Sequence, residues 1–199
     1  MIGIVDYGTG NIGSVIRAVE FLGGECRVVR ASDDLYDVDR IMLPGDGSFG
    51  RAVRSMTESG LYDAVRRWVA GNRATLGIGL GMQLLFEGSE ESPDAVGFSV
   101  FHGICSRFGS GRIPLAGWSA IDLKRDSELF KGVPERPYLY FSHSYYAPFP
   151  EDADALLATN RHGMEYCCAL FKGSVFGVQF HPEKSGEVGL KMISNWMEV

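Results

Sequence analysis

The sequence predicts an α/β protein: an open, mostly parallel sheet flanked by helices, with antiparallel strands added in its second half. Three observations carry this prediction. Short apolar runs alternate with amphipathic stretches through the first half of the chain. The early runs lead into glycine-containing loops, at 8–13, 44–48 and 79–81. From Phe98 to Val178 the pattern changes to short strands and turns, which suits antiparallel strands added to the sheet edge or laid across it.

Each element has a local reason. Ile2–Val5 is a short apolar run ending in Asp6-Tyr-Gly-Thr-Gly10. Ile12, Val15, Ile16, Val19 and Leu22 then share one helical face, and Gly23-Gly24 stop it. Cys26–Val29 and Arg40–Leu43 read as strands, the second ending abruptly at Pro44-Gly-Asp-Gly47. Phe49 to about Gly71 reads as helix, in two pieces broken near Ser59-Gly60, with a stripe of Val53, Met56, Leu61, Val65, Trp68 and Val69. Thr75–Ile78 is a strand and Leu80–Glu87 a helix after it. Strands are expected over 98–106, 117–123, 138–141, 155–159, 164–171 and 174–180, and a last helix over Gly186 to Met197. In such sheets a ligand site lies beyond the carboxyl ends of the parallel strands, so the three glycine loops are expected to converge.

Composition narrows the function. The chain has 199 residues, 45% hydrophobic and 22% charged, enough for a normal core. A formal charge of −6 argues against nucleic acid as the main partner. No apolar run has membrane-spanning length, and Met1–Asp6 is too quickly acidic to read as a signal peptide. Cys26, Cys105, Cys167 and Cys168 fit no disulfide framework or zinc spacing, which suits reduced thiols in a cytoplasmic protein. Cys167 and Cys168 are expected on opposite faces of a strand. No repeat or linker is visible, so residues 1–199 are read as one domain, with no metal or cofactor.

Six segments could carry chemistry. Gly8-x-Gly10-x-x-Gly13 follows a strand and opens a helix, as a dinucleotide fingerprint does. The following strand ends Val28-Val29-Arg30 with Asp33 three positions later, which misplaces the acid, so a tight connection or a partner contact is the better reading. Pro44-Gly45-Asp46-Gly47-Ser48 can turn N–H groups outward to bind an anion or form an oxyanion hole, although a plain turn explains it as simply. Asp46 is an awkward residue beside a developing negative charge. Leu76-Gly-Ile-Gly-Leu-Gly-Met-Gln83 reads as strand, tight turn and helix with Gly79 at the tip. Such an elbow exposes a nucleophile at a helix N-terminus, yet here the tip has no side chain, and the glycines alone would serve a turn and close packing. Gly177-Val-Gln-Phe-His-Pro-Glu183 places His181 at a strand end with Glu183 two residues on, a base with its orienting carboxylate, or a structural histidine. Phe141-Ser-His-Ser-Tyr-Tyr146 offers hydroxyls and an imidazole, or ordinary sheet residues. Leu115-Ala-Gly-Trp118 holds an aromatic that is either core or a partner anchor.

Taken in this order, the segments resemble the class I, triad-type glutamine amidotransferases, over essentially the whole chain. The fold implied is flavodoxin-like. Asp6-Tyr-Gly-Thr-Gly-Asn-Ile12 and Gly117-Trp118 bring the resemblance closest to glutaminase subunits that feed a (β/α)8-barrel synthase closing an imidazole ring. The resemblance implies that a cysteine at the elbow attacks the glutamine side-chain amide. It makes His181 the base and Glu183 its orienter. Gly45, Asp46 and Gly47 with Leu80 would hold the oxyanion, and Gln83, Glu91, Ser144 and Tyr145 would line the glutamine site. Asn11, Trp118 and Lys184 would face a barrel-type cyclase subunit in a heterodimer.

Three departures stand out. Gly79 occupies the cysteine position, Asp46 stands where a neutral residue is expected, and Leu115-Ala116 with Ser119 replaces a usual His-Met and Asn. Glutaminase activity of the chain as written is therefore expected to be abolished, with glutamine still bound. The intact His181 and Glu183 suit a working subunit disabled at one position, in which Gly79→Cys should restore turnover. The other departures suit a non-catalytic pseudo-amidotransferase acting as a binding or regulatory partner, or a paralogue serving a surface-sugar pathway.

Overall fold

The structure is a computed structural model and describes residues 1–8 and 10–199; Thr9 of the Asp6–Ile12 segment lies outside the described residues. In chain order the elements are β1 (Ile2–Val5), α1 (Ile12–Phe21), β2 (Cys26–Val29), β3 (Arg40–Leu43), α2 (Phe49–Glu58), α3 (Leu61–Ala70), β4 (Thr75–Ile78) and a short α4 (Leu80–Gln83). There follow β5 (Gly88–Ser89), β6 (Ile104–Arg107), β7 (Leu115–Ala120), β8 (Asp122–Leu123), β9 (Tyr138–His143) and β10 (Tyr145–Tyr146). The chain closes with β11 (Leu156–His162), β12 (Met164–Lys172), β13 (Val175–Val178) and α5 (Gly186–Glu198).

The main sheet has eight strands in the order β2-β1-β3-β4-β13-β12-β11-β8. It is parallel from β2 to β13 and antiparallel beyond. Of the two arrangements expected of the second half, addition to the sheet edge occurs: β12, β11 and β8 extend the sheet, while β7 and β9 pair antiparallel in a separate two-stranded sheet with Trp118 opposite Tyr140.

Strands covered on both faces need near-continuous apolar runs, and the central strands largely have them. Ile2 and Ile4 of β1 pack with Val15 and Val19 of α1 and Ile193 and Trp196 of α5. Val5, Ile41 and Leu43 join the other layer, with Phe49 and Met56 of α2 and Val65 and Trp68 of α3. Cys167 and Cys168 fall in opposite layers, as the strand period requires, and all four cysteines are free. Gly60, at φ +72, makes the break between α2 and α3.

Three elements differ from expectation. The helix after the elbow ends at Gln83 rather than Glu87, continuing only as tight turns from Leu85 to Met82 and Phe86 to Gln83. The strand expected over 98–106 forms only at Ile104–Arg107. The amides of Phe98, Val100 and Phe101 instead donate to the carbonyls of Leu84 and Leu85, at 2.7, 2.8 and 3.1 Å. These bonds satisfy carbonyls that a short helix leaves free, so Phe98 and Phe101 are buried as a helix stop and not as a ladder. The strand expected over 117–123 is split into β7 and β8.

Among the described residues no helix is long and apolar enough to cross a membrane. Because β1, β3, β4 and β13 run parallel, their carboxyl ends lie together, and the loops after them meet.

Candidate active site

Gly79 sits between β4 and α4 at φ 58 and ψ −113, a backbone conformation that strains any L side chain. Its amide donates to the Val178 carbonyl at 2.8 Å, which ties the elbow to β13. A Cβ placed on Gly79 would stand 3.2 Å from His181 Nε2 and 2.6 Å from the Gly45 carbonyl oxygen. The elbow thus aims its missing side chain at the imidazole.

His181 leaves β13 just before a tight turn over Pro182–Lys184. Its Nδ1 meets Glu183 Oε1 at 2.9 Å, and both side chains are buried. Backbone bonds fix the ring's root: the His181 amide donates to the Tyr140 carbonyl at 2.8 Å, and Ser185 Oγ donates to the His181 carbonyl at 2.6 Å. The other nitrogen, Nε2, is 3.1 Å from Asp46 Oδ1. That oxygen makes no directed hydrogen bond among the described residues, so the contact is one of charge. Asp46 Oδ2 accepts from Lys184 Nζ at 2.9 Å.

The electrostatics follow from these neighbours. Burial alone would lower the His181 pKa, but the carboxylates of Asp46 and Glu183 outweigh it and push the value up to about 9. His181, and then Lys184, hold Asp46 well below the usual carboxylate range, against its partial burial. His143, in contrast, is pushed down to about 4 by burial; its ring contacts the Tyr145 carbonyl at 2.8 Å and Tyr166 Oη at 3.1 Å. One imidazole is therefore held charged and the other neutral.

The folded chain keeps a proton on His181 that the unfolded chain, at the ordinary value of 6.5, gives up. This contribution to stability is complete below about pH 6.5 and is lost as the pH rises through about 9. Glu183→Gln removes one carboxylate, so the His181 midpoint should fall and the alkaline loss of stability should begin at lower pH. Imidazole titration by NMR, with melting followed against pH, checks both; an unmoved midpoint would discard this account of His181.

A cavity of about 180 Å³ opens beside these groups. Gly45, Asp46, Gly47, Leu80, Gln83, Glu91, Ser144 and Tyr145 all line it, so the structure brings together all eight residues assigned to it from sequence. Glu91 Oε2 accepts from the Phe49 amide at 2.7 Å. The Leu80 amide, a donor expected to face an oxyanion, is already bonded to the Gly45 carbonyl at 3.0 Å.

The three residues assigned to a partner face lie apart from the cavity lining. Asn11 is exposed at the N-terminal boundary of α1, and Trp118 is 56% exposed on β7. Lys184 is 29% exposed, and its ammonium is turned onto Asp46. The Trp118 ring meets Tyr140 edge-on at 6.3 Å, and Tyr140 meets His181 at 6.4 Å, so one aromatic row joins the exposed face to the imidazole.

Sequence reasoning missed Gln179 and Tyr7. Gln179 is buried in the cavity wall and accepts from Gln83 Nε2 at 3.1 Å, while its own Nε2 has no partner among the described residues. Its place two residues before His181, in the Gly177–Glu183 segment, was the available signal. Tyr7, buried beneath the Pro44–Gly47 loop, donates its hydroxyl to the Pro44 carbonyl.

A family model described as glutamine amidotransferase class-I matches residues 3–198. The chain belongs to the class-I glutamine amidotransferases. At closer range it is 40% identical over 201 residues to the imidazole glycerol phosphate synthase subunit HisH of Chlorobaculum tepidum, covering 100% of both chains. It is 38% identical to the chloroplastic imidazole glycerol phosphate synthase hisHF of Arabidopsis thaliana, over 98% of this chain and 33% of that protein. A crystal structure of a glutamine amidotransferase superposes with a TM-score of 0.80 at 20% identity, covering 99% of this chain and 97% of the other, a likeness of fold.

Proposed function

We propose that this chain is the glutaminase-type subunit of an imidazole glycerol phosphate synthase, seated on a barrel-type cyclase subunit in cytoplasmic histidine biosynthesis, and that it does not itself hydrolyse glutamine. One observation carries the second half of this reading. The Cβ position of Gly79 faces His181 Nε2 across 3.2 Å, with Glu183 behind the ring, and nothing stands there to attack.

In a working relative a thiolate at this elbow would add to the glutamine amide carbon. Neighbouring N–H groups would hold the oxyanion, and ammonia would leave toward the cyclase. This chain keeps the orienting carboxylate and the imidazole but has no thiolate. The complex would then draw its nitrogen from free ammonia. The full-length relatives named as HisH support the subunit reading, as does the Arabidopsis synthase, whose length this chain matches over 33%. Ala116 shares the exposed face of β7 with Trp118, on the proposed partner face, and this change favours a second reading in which the partner is a different synthase, whereas Leu115 and Ser119 point to the other side of the strand.

Complex formation tests the proposal. Mixed with the imidazole-forming barrel cyclase of a close relative, the chain should co-elute as a heterodimer. Trp118→Ala should weaken that complex by roughly 10- to 100-fold, the scale of an interface anchor. A folded chain with no affinity for that cyclase would overturn the reading and leave the other synthase as the partner to seek.

A further inference from the structure

We infer that Asp46 is an internal occupant of the cavity, a carboxylate latch that keeps a glutamine carboxamide away from His181. This rests on the reading above, that the cavity is of the glutamine type. The latch has two anchors from one turn, His181 Nε2 at 3.1 Å and Lys184 Nζ at 2.9 Å. It holds the Pro44–Gly47 loop in the position where the Gly45 carbonyl takes the Leu80 amide, so the donor expected to face an oxyanion is occupied. That same carbonyl lies 2.6 Å from where a Cβ on Gly79 would be. The two departures noted at 46 and 79, far apart in sequence, therefore meet at one imidazole and fit each other. Glycine leaves the space that the latched loop needs, and aspartate takes the ring nitrogen that a thiol would have used.

With the latch in place, adding a nucleophile alone is expected not to be enough. A cysteine at position 79 would push against the Gly45 carbonyl and would find Nε2 already facing a carboxylate. The charged groups around His181 are Asp46 on the loop after β3 and Glu183 and Lys184 on its own turn, and the titratable His143 on β9 is held neutral. Removing the Asp46 charge is thus expected to release the ring.

Glutamine binding to the full chain in its cyclase complex tests this, measured by calorimetry for the parent, Asp46→Ala and the size-conserving Asp46→Asn. At least one folded variant, confirmed by melting, should bind glutamine ten-fold or more tightly than the parent. The His181 NMR midpoint should fall in that same variant, a shift that mere loosening of the loop would not give. With the cyclase present, Gly79→Cys alone should stay within a few-fold of background glutaminase, and Gly79→Cys combined with the open Asp46 variant should exceed it by at least 100-fold. Equal, measurable glutamine affinity in parent and variants would overturn the latch and leave the glutamine reading standing. No glutamine binding by any folded form would overturn both. A Gly79→Cys chain as active as the double variant would also overturn the latch.

Discussion

Supplied with ammonium ions, the complex of this chain with a barrel cyclase is expected to turn over, and supplied with glutamine it is expected to stall. Loss of a nucleophile from a triad removes on the order of 10⁴-fold or more in kcat. None of the four cysteines is ready to replace it. Cys105, Cys167 and Cys168 are buried, and burial pushes each thiol up and away from the reactive thiolate. Cys26 lies on β2, at the far edge of the sheet, and its thiol is also raised by burial. Direct attack by water fares no better. His181, with its value near 9, is protonated at neutral pH and cannot take a proton from water. The Leu80 amide is spent on Gly45. Glutamate release and imidazole-ring closure, measured side by side with each nitrogen source, decide the matter. Glutamate released at a rate comparable with a cysteine-bearing relative would sink the assignment of Gly79 as the vacant nucleophile position.

Gly81→Ala is expected to be the most damaging small change in the chain. A Cβ there would overlap the Leu43 carbonyl oxygen, and it would stand 2.7 Å from the Leu43 carbonyl carbon and 3.0 Å from the Leu43 Cβ. Leu43 is on β3, which is paired on both sides, so its backbone cannot step aside. The alternative is for α4 to back away, which would move the elbow and the wall of the cavity. Overpacking a core by a methyl group commonly costs about 1–3 kcal/mol, and a clash with fixed backbone belongs at the top of that range or above it. For a chain of this size that is a fall in Tm of roughly 10 °C. Gly23→Ala serves as a control. Gly23 has φ +78 but nothing within 4 Å of a new Cβ, so it should cost only about 1 kcal/mol of backbone strain. If the two variants melted together, the close approach of α4 to β3 would not be the reason for glycine at 81.

Much of the architecture was legible because the parallel strands are short and largely apolar, and three of them lead into glycine loops. β1, β2, β3 and β4 fall on the residues where the sequence places them. The run at Phe98–Phe101 misled because burial, not pairing, makes it apolar; period-2 patterning cannot tell a ladder from a helix stop. The cavity-lining residues were legible through resemblance, since no period or spacing joins Gln83 to Tyr145. The part that stayed hidden is the role of Asp46. In sequence it was only an uncomfortable residue in an oxyanion loop. Its partners lie on a turn near the other end of the chain, and distance between remote segments is what a sequence does not print. Gln179 was missed for a similar reason: its side-chain partner, Gln83, is on α4, remote in sequence.

The strand that carries His181 also sets an order of events as the chain folds. β13 is the last strand to be synthesised, yet it lies between β4 and β12, with Val175 opposite Thr75. Until it arrives, β4 keeps an open edge and the two halves of the sheet are not joined, so the loops at 44–48 and 79–81 have no histidine to meet. Pairings between such distant segments close slowly, because a long loop must be ordered before the contact rewards it. A ribosome-bound chain that stops before Val175 would hold both glycine loops and neither an assembled site nor a continuous sheet. Such a chain would expose an unpaired parallel edge, the kind of surface that chaperones bind and that seeds aggregation.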